Sequence, residues 1–564
     1  MNEPPLIVQT DRTVLLETQH PDYETARDRL SRFAELEKSP EYVHFYKITP
    51  VSVWNAAALG ERADDVVGWL ERSSRFPIVP AVLAQIREWF RRYGLLQLVA
   101  GSDGRLELRS DDAEVLATLC AHASMAEWIE RSDFGIVHVA AERRGDVKQA
   151  LVRLGYPVDD RAGYRTGDTL SFGLAGASGA RSFALRDYQR AAAEAFHAGG
   201  SDRGGCGVVV LPCGAGKTVV GIAAMHLLQT NTLVLTTNTV AVRQWCREIL
   251  EKTDLQREQV GEYTGETKEI RPVTVATYQI LTHRKGKLDA FTHLDLFDKG
   301  GFGLIVYDEV HLLPAPVFRA TAGIQARRRL GLTATLVRED GRADEVFSLI
   351  GPKRYELPWK QLERQGFLAA ARCVEVRVPL SAARAQQYAA AGARRQIRIA
   401  ADNERKDDVV GALLRRHQHD RVLVIGQYLE QLQHLATVFR LPLITGQTPN
   451  VERDRLYAAF RKGELPQLIV SKVGNFAIDL PDANVAIQVS GTFGSRQEEA
   501  QRLGRILRPK QDGGPASFYS LVSADTREQE FGKKRQLFLT EQGYAYAIVA
   551  AAELQDGERR EVRA

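Results

Sequence analysis

From residue 205 onward, the chain alternates short runs of β-branched and apolar residues with longer stretches of helical spacing. Such alternation predicts a parallel sheet wrapped by helices. The pattern stops in a stretch rich in Arg and Ala and then restarts, which predicts two α/β lobes in series. The runs are Val208–Leu211, Thr232–Thr236, Val273–Ala276, Leu304–Tyr307 and Arg329–Thr333, then Val422–Ile425, Gln467–Ser471, Val485–Val489 and Ser517–Leu521.

The first 180 residues follow a different pattern. Helical spacing extends over Asp22–Leu36 and Val82–Tyr93, and short strands are predicted at Arg105–Arg109 and Gly135–Val139. We expect one or two α+β accessory domains here. The segment Gly173–Gly179 (GLAGASG) is rich in small residues, which favours a flexible connection to the first lobe.

Composition excludes several classes of protein. A chain of 564 residues has room for about three or four domains, and 44% apolar with 26% charged residues is typical of a soluble globular protein. We find no signal peptide and no run of about 18 apolar residues, so secretion and a membrane role are not expected. The five cysteines form no C-x-x-C pair, which argues against zinc and disulfides. A net charge of +4 permits a basic groove but does not demonstrate one.

A phosphate-binding loop is predicted at Pro212–Thr218 (PCGAGKT), between the strand Val208–Leu211 and a helix predicted at Val219–Gln229. Glycines let backbone N–H groups face phosphates, Lys217 would neutralise the β- and γ-phosphate oxygens, and the Thr218 hydroxyl would hold Mg²⁺. The first glycine of the longer motif is absent, since Leu211 stands there. The alternative is a simple turn with Lys217 in solvent.

Two adjacent carboxylates follow the strand Leu304–Tyr307 in the string DEVH. Asp308 would hold Mg²⁺, Glu309 would polarise the attacking water, and His311 would sense the γ-phosphate. Phosphoryl transfer depends on positioning and charge neutralisation, which such a pair supplies at the carboxyl end of a strand. The alternative is that the acidic pair only caps a helix.

A third feature is the string QRLGRILR at Gln501–Arg508. Arg505 and Arg508 are three residues apart, so both lie on one face of a predicted helix. In a two-lobed ATPase such arginines stabilise charge on the transferring phosphate. An exposed basic helix or a nucleic-acid contact is the alternative.

Taken in order, these strings resemble the motifs of superfamily-two helicases, and among them the XPB family, which includes the ATPase subunit of the transcription and repair factor TFIIH. Thr333-Ala334-Thr335 is similar to the motif that couples ATP hydrolysis to movement on nucleic acid. The resemblance implies a coupling role for Gln501 as well. Thr277-Tyr278-Gln279 and Ser471–Pro481 resemble motifs that touch the sugar–phosphate backbone, which implies DNA contacts at Thr277 and Lys472. FALRDYQ resembles the leading glutamine motif. The resemblance thus implies ATP contacts from Arg186, Gln189, Gly214, Ala215, Gly216, Lys217 and Thr218.

Three strings single out the XPB branch: TATLVRED, GSRQEEAQRLGRILR and FSLIGPKRY. The charged triplet Arg338-Glu339-Asp340 is implied to act where the strands part. The N-terminal strings PLIVQTDRTVLLE and YVHFYKITPVSV resemble the accessory domain of the family. Two departures are that Asn475 replaces an aspartate that is usual in the second-lobe motif, and that a thumb-like insertion is only faint around Gln386–Arg398.

The resemblance implies two RecA-like lobes behind accessory domains. The expected boundaries are 1–125 (XPB-type accessory domain), 126–178 (small damage-recognition-like domain), 179–360 (first lobe), 361–400 (connector with the thumb-like insertion) and 401–550 (second lobe). It implies a 3′-to-5′ DNA helicase that uses ATP and Mg²⁺ in repair or transcription. A cytoplasmic protein associated with the nucleoid, working with a nuclease partner, is expected.

Other functions remain open at this level. The chain could translocate on duplex DNA without separating strands, or serve as a nucleotide-clamped scaffold for a nuclease. Its track could also be RNA, because backbone contacts discriminate only through the 2′-OH. An iron–sulfur helicase of the XPD kind is excluded, since the five cysteines form no cluster motif.

Overall fold

The computed structural model describes residues 3–38, 42–101, 105–131, 137–140, 143–160, 167–176, 183–200, 204–281, 296, 299–312, 328–334, 343–367, 369–471, 483–491, 515–541, 544 and 546–554. Apart from the short loop Pro212–Ala215, the chain forms two compact units that divide between Glu356 and Leu357. Within the described residues, each unit contains one seven-stranded sheet. No helix in this part of the chain has the length and apolar character needed to cross a bilayer.

The first unit begins with a four-stranded antiparallel sheet of order β1-β2-β4-β3. The helix predicted over Asp22–Leu36 ends early, because the backbone N–H groups of Phe33 and Ala34 both bond to the carbonyl of Leu30 and close a tight turn. Leu36 then points into the core from a strand. The elements are β1 (Leu6–Val8), β2 (Thr13–Glu17), α1 (Tyr23–Leu30), β3 (Glu35–Lys38) and β4 (Val43–Lys47).

A second sheet of order β7-β8-β6-β5-β9 follows three helices. One apolar core, which includes Leu98, Val139 and Leu151, lies beneath strands from both sides of the predicted boundary at residues 125 and 126. Residues 96–160 therefore share one sheet, a pairing that local patterning does not encode. The elements are α2 (Pro50–Ala58), α3 (Ala63–Ser73), α4 (Pro80–Arg92), β5 (Leu96–Ala100), β6 (Leu106–Ser110), α5 (Ala113–Ala121), β7 (Ile129–Arg131), β8 (Val137–Val139), α6 (Arg144–Arg153) and β9 (Val158–Asp160).

The segment predicted as a flexible connection is pinned to the first lobe over its described part. The backbone N–H of Gly173 donates to Asp254 Oδ1 at 2.9 Å, and Leu174 forms an antiparallel bridge with Thr253. The backbone N–H of Ala175 donates to the carbonyl of Lys252 at 2.9 Å. Residues 173–176 are therefore held against the first lobe. Composition does not reveal this, because the hydrogen-bond partners of their backbone lie in a distant segment.

The first α/β lobe is a parallel sheet of order β12-β13-β11-β14-β15-β10-β16. Its central strands are buried on both faces, as expected for a sheet covered by helices. The elements are α7 (Asp187–His197), β10 (Cys206–Val210), α8 (Lys217–Leu228), β11 (Thr232–Thr236), α9 (Thr239–Lys252), β12 (Val260–Tyr263), β13 (Val273–Thr277), α10 (Tyr278–Leu281), β14 (Leu304–Asp308), β15 (Arg328–Thr333), α11 (Ala343–Leu349) and β16 (Lys353–Glu356). All five predicted strands are present.

Buried contacts tie the accessory region to this lobe. The backbone N–H of Lys353 donates to Asn55 Oδ1 at 3.0 Å, and the rings of Trp54 and Phe347 lie 5.9 Å apart. An ionic cluster joins Asp160 of β9 to Arg329 of β15. The accessory region and the first lobe therefore form a single folded unit.

The second unit contains a parallel sheet of order β19-β20-β18-β21-β22-β17-β23. The four predicted strands are present, which confirms the second α/β lobe. The sheet also includes β17, which was expected to lie in the connector, because β17 pairs with the distant β22 along its whole length. The elements are α12 (Trp359–Arg364), β17 (Ala371–Val378), α13 (Ala382–Ala390), α14 (Ala393–Ala401), α15 (Arg405–Arg416), β18 (Val422–Gly426), α16 (Leu429–Phe439), β19 (Leu443–Ile444), α17 (Asn450–Lys462), β20 (Gln467–Ser471), β21 (Val485–Gln488), β22 (Ala516–Ser523), α18 (Arg527–Glu541) and β23 (Tyr546–Ala550).

The faint thumb-like insertion corresponds to the helical pair α13 and α14. No residue of α13 is buried, and α14 buries only Ile399, Ala400 and Ala401 at its end. The pair therefore stands largely in solvent between β17 and α15.

Candidate functional site

The predicted phosphate loop lies between β10 and α8, as its sequence context requires. Gly214 and Gly216 have φ values of +82° and +79°, a left-handed conformation that side chains disfavour. Gly216 is the N-cap of α8, so the first N–H groups of that helix face the loop. Lys217 and Thr218 begin the helix and are half-buried. Backbone donors and the positive end of a helix thus converge on one place, which suits an anion.

Gln189 lies directly against this loop. A Cβ placed on Gly216 would lie 2.6 Å from Nε2 of Gln189, so the amide lies against the backbone of the loop. The other end of the amide is occupied, since Oε1 accepts the backbone N–H of Arg186 at 3.0 Å. The Arg186 guanidinium donates to the Tyr188 hydroxyl at 3.1 Å. The structure therefore brings the predicted leading glutamine to the phosphate loop.

The acidic pair lies at the carboxyl end of β14. Asp308 is the last residue of this strand, and Glu309 follows with a φ of +50°. This left-handed turn directs the Glu309 carboxylate to the loop, where Oε1 lies 3.5 Å from Lys217 Nζ. The other oxygen, Oε2, is buried and accepts no hydrogen bond among the residues that the structure describes. The predicted carboxylates and lysine are therefore neighbours.

Electrostatics at Asp308 favour the arrival of a cation. Burial raises the pKa of Asp308 to about 6, and repulsion from Glu309 adds to the rise. A hydrogen bond from Trp245 and the charge of Lys217 act in the opposite direction. A divalent cation beside this carboxylate would favour its ionised form.

The donor set fits Mg²⁺. Asp308 and the Thr218 hydroxyl offer hard oxygen ligands, and Oε2 of Glu309, which accepts no hydrogen bond from the described residues, can accept one from water. Among the described residues, no three His, Cys, Asp or Glu side chains group as a metal cluster. Mg²⁺ beside a nucleotide needs only one or two carboxylates, because phosphate oxygens and water complete its shell.

His311 joins the acidic motif to the next strand. Its Nδ1 lies 2.6 Å from the Thr333 hydroxyl and 3.6 Å from Glu309 Oε2. Thr333 ends β15 and is buried, as is Ala334. The first residue of the predicted coupling motif, Thr333, thus contacts the histidine predicted to sense the γ-phosphate.

Thr277 lies at the carboxyl end of β13 and is only 6% exposed. The next two residues make tertiary hydrogen bonds: the Tyr278 hydroxyl donates to the Asp308 carbonyl at 2.7 Å, and Gln279 Nε2 donates to the Thr237 carbonyl at 3.0 Å. The predicted nucleic-acid motif is therefore connected to the acidic pair.

A residue not predicted from the sequence, Trp245, donates its indole N–H to Asp308 Oδ2 at 2.9 Å. Its spacing with Val242, Cys246 and Ile249 on α9 is that of an ordinary core residue. No local signal distinguishes it, because its partner is 63 positions away.

Several predicted residues lie outside the described part of the chain, and their roles stay predictions. In the second-lobe motif, the described Ser471 ends β20. The predicted residues that lie outside the described part of the chain are Thr335, Arg338, Glu339, Asp340, Lys472, Asn475, Gln501, Arg505 and Arg508.

Three known families match the chain. Residues 362–562 match the family described as ERCC3/RAD25/XPB C-terminal helicase. Residues 182–338 match the res subunit of type III restriction enzymes, and residues 6–132 match a helicase conserved C-terminal domain.

Similarity to individual proteins extends over nearly the whole chain. A protein of Kineococcus radiotolerans named DNA 3'-5' helicase XPB is 52% identical over 99% of this chain and 98% of its own length. A protein of the same name from Mycobacterium tuberculosis is 52% identical over 98% of this chain and 99% of its own. The XPB/SSL2 subunit of the yeast general transcription and DNA repair factor IIH is 32% identical over 97% of this chain and 72% of its own. These similarities confirm the resemblance seen in the motifs, and the chain belongs to the XPB helicase family.

Proposed function

We propose that this chain is an ATP-dependent 3′-to-5′ DNA helicase whose ATP site is the phosphate loop and acidic pair of the first lobe. One observation carries the proposal. Lys217 and the adjacent pair Asp308 and Glu309, which is distant from Lys217 in sequence, converge at the carboxyl edge of one parallel sheet, with Lys217 Nζ 3.5 Å from Glu309 Oε1. This is the arrangement that phosphoryl transfer from a nucleotide requires.

The residues of the first lobe have separate tasks. The N–H groups at the start of α8 and the ammonium of Lys217 bind phosphate oxygens. Phosphate competes with Glu309 for that ammonium, which releases the carboxylate to accept a proton from water. Asp308 and Thr218 would hold Mg²⁺, which would neutralise charge on the phosphates.

Coupling to DNA is proposed to run through β15. His311 touches both Glu309 and Thr333, so a change beside the carboxylate reaches the coupling motif directly. The triplet Arg338-Glu339-Asp340 follows that motif closely in sequence and is proposed to act at the fork. Thr277 and Lys472 are proposed to contact the DNA backbone.

Arg505 and Arg508 of the second lobe are proposed to stabilise charge on the transferring phosphate. Gln501 would belong to the same element and assist coupling. We also propose that the protein is cytoplasmic and nucleoid-associated and works with a nuclease partner. Any cutting of DNA would come from that partner, since no nuclease motif is found in the chain.

The proposal is tested by measuring ATP hydrolysis and strand separation together on single-stranded, duplex and forked DNA. The wild type should open forks with a 3′ tail and hydrolyse ATP in a DNA-dependent manner. Lys217→Ala should abolish both activities. Opening only of forks with a 5′ tail would refute the assigned polarity.

A triple alanine variant at Arg338, Glu339 and Asp340 separates helicase from translocase. It should keep much of its DNA-stimulated hydrolysis but open fewer base pairs for each ATP consumed. An unchanged ratio would place the triplet in a surface loop, where exposed ion pairs contribute about 0–1 kcal/mol. Wild-type ATPase on duplex DNA without any strand opening would favour a double-strand translocase, and nucleotide binding without turnover would favour a clamped scaffold.

A further inference from the structure

Trp245 is a buried residue of α9 whose polar atom is engaged in the acidic motif. The side chain is 1% exposed, and its Nε1 donates to Asp308 Oδ2 at 2.9 Å. Packing alone does not require an N–H group at this position, since a phenyl ring would also fill apolar space. The hydrogen bond therefore suggests a task beyond filling the core.

The indole ring is held firmly in place. A Cβ built on Gly221 of α8 would lie 2.5 Å from Trp245 Cη2 and 3.3 Å from Leu332 Cδ1. The ring thus fits between the helix that follows the phosphate loop and the sheet. The indole N–H is therefore fixed in position before any ligand arrives. A supporting residue can hold a metal-binding side chain precisely only when it is itself held in this way.

Asp308 is also held through its main chain. The Tyr278 hydroxyl donates to the Asp308 carbonyl at 2.7 Å, and Tyr278 is 2% exposed. The next residue, Glu309, has a φ of +50°, a conformation that side chains rarely adopt. Two hydrogen bonds from separate elements thus anchor the residue that precedes this unfavourable turn.

We propose that Trp245 and Tyr278 are positioning residues for the metal-binding carboxylate. Trp245 donates to Oδ2 of Asp308 and so orients the carboxylate, while Tyr278 fixes the carbonyl from which the turn to Glu309 begins. This inference rests on the metal role proposed above for Asp308. Neither side chain is assigned contact with nucleotide or metal.

The test measures metal affinity rather than turnover. Mn²⁺ binding to the full chain with a non-hydrolysable ATP analogue is followed by electron paramagnetic resonance in Trp245→Phe and Tyr278→Phe. Trp245→Phe should weaken Mn²⁺ binding about tenfold, the change that corresponds to one charge-assisted hydrogen bond. Tyr278→Phe should weaken it about threefold, as for a neutral hydrogen bond. Affinity for the analogue without metal should stay within about twofold, the change expected when no phosphate contact is lost.

Two buried residues elsewhere provide matched controls. Trp54 donates its indole N–H to the Trp89 carbonyl at 3.1 Å, and the Tyr519 hydroxyl lies 3.1 Å from His417 Nε2. Trp54→Phe and Tyr519→Phe remove the same groups far along the chain from Asp308. Both controls should bind Mn²⁺ as the wild type does, and a fall equal to that of the test variants would overturn the proposal.

Other outcomes are equally decisive. Wild-type Mn²⁺ affinity in both Trp245→Phe and Tyr278→Phe overturns the positioning role. An equal loss of analogue affinity with and without metal would indicate general damage to the fold and would also overturn it. If Trp245→Phe does not fold, Tyr278→Phe decides the question, because it removes a single oxygen. Asp308→Asn distinguishes failure of the positioning role from failure of the proposed metal role. Normal Mn²⁺ affinity in this variant would refute the metal role of Asp308 itself.

Discussion

The substitution Asp160→Asn tests how the accessory region is attached to the first lobe. Asp160 Oδ2 accepts hydrogen bonds from Arg144 Nε and Lys148 Nζ, each at 2.9 Å, and lies 3.8 Å from Arg329 Nη2. The four side chains are 5–8% exposed. Burial opposes ionisation, but the three cations hold the pKa of Asp160 well below its usual range. The amide would leave three buried cations around a neutral group.

The expected cost is about 3 kcal/mol of unfolding free energy at neutral pH. Removing one partner of a buried ion pair typically costs about 3–5 kcal/mol. The lower end applies because burial lowers the pKa of Lys148 to about 8, so this group can release its proton. Neutralising it costs about 1.4 kcal/mol for each pH unit below its pKa. Arg144 and Arg329 have no such escape.

Urea denaturation of the full chain, followed by tryptophan fluorescence, measures the change. Four of the six tryptophans, at positions 54, 69, 89 and 128, lie in the accessory region, so its transition is visible. Glu130→Gln is the matched control, since Glu130 pairs with Arg105 on the surface of the same sheet. Its transition should remain close to that of the wild type.

A loss below about 0.5 kcal/mol in Asp160→Asn would refute this reasoning, because that is the range of surface substitutions. It would mean that water solvates the three cations as well as the Asp160 carboxylate does. A loss of the expected size would instead identify the cluster as a main attachment of the accessory region to β15.

Three further predictions concern the site and the accessory sheet. Glu309→Gln should bind ATP normally yet stop hydrolysis, since an amide cannot accept the proton of water; a collapse in the affinity for a fluorescent nucleotide would contradict its role. Arg505→Ala should reduce DNA-stimulated phosphate release by about a thousandfold, and unchanged release would place this residue on the nucleic-acid surface. Burial and the charge of Arg27 lower the pKa of His44 from 6.5 to about 4. The neutral ring therefore supports the fold fully above about pH 6.5, and about 3 kcal/mol is lost as the pH falls to 4. His44→Gln should lack this acid-dependent loss in denaturation curves.

Local pattern alone was sufficient for much of the fold. The predicted strands of both lobes are present because a strand buried on both faces needs an uninterrupted apolar run, which is visible in any sequence. The phosphate loop was also predictable, since glycines and a lysine between a strand and a helix form one contiguous unit. Its neighbour Gln189 was implied by the family resemblance.

Pairing between distant segments was not predictable in this way. The sheet that spans residues 96–160 and the membership of β17 in the second lobe depend on which strands meet. Composition near Gly173 favoured a flexible connection, yet Asp254 and its neighbours bind that backbone. A hydrogen bond between remote groups leaves no periodicity in either segment.

The amino-acid sequence by itself determined the type of each element, the chemistry at the ends of the strands and the family. Only the tertiary structure decided that Trp245 donates a hydrogen bond to Asp308, that Glu309 lies beside Lys217, and that Asp160 pairs with Arg329. Element type follows from contacts a few residues apart, which the sequence displays directly. The reach of a buried polar group depends on how whole elements pack, because only packing brings its partner within hydrogen-bond distance and removes the competing water.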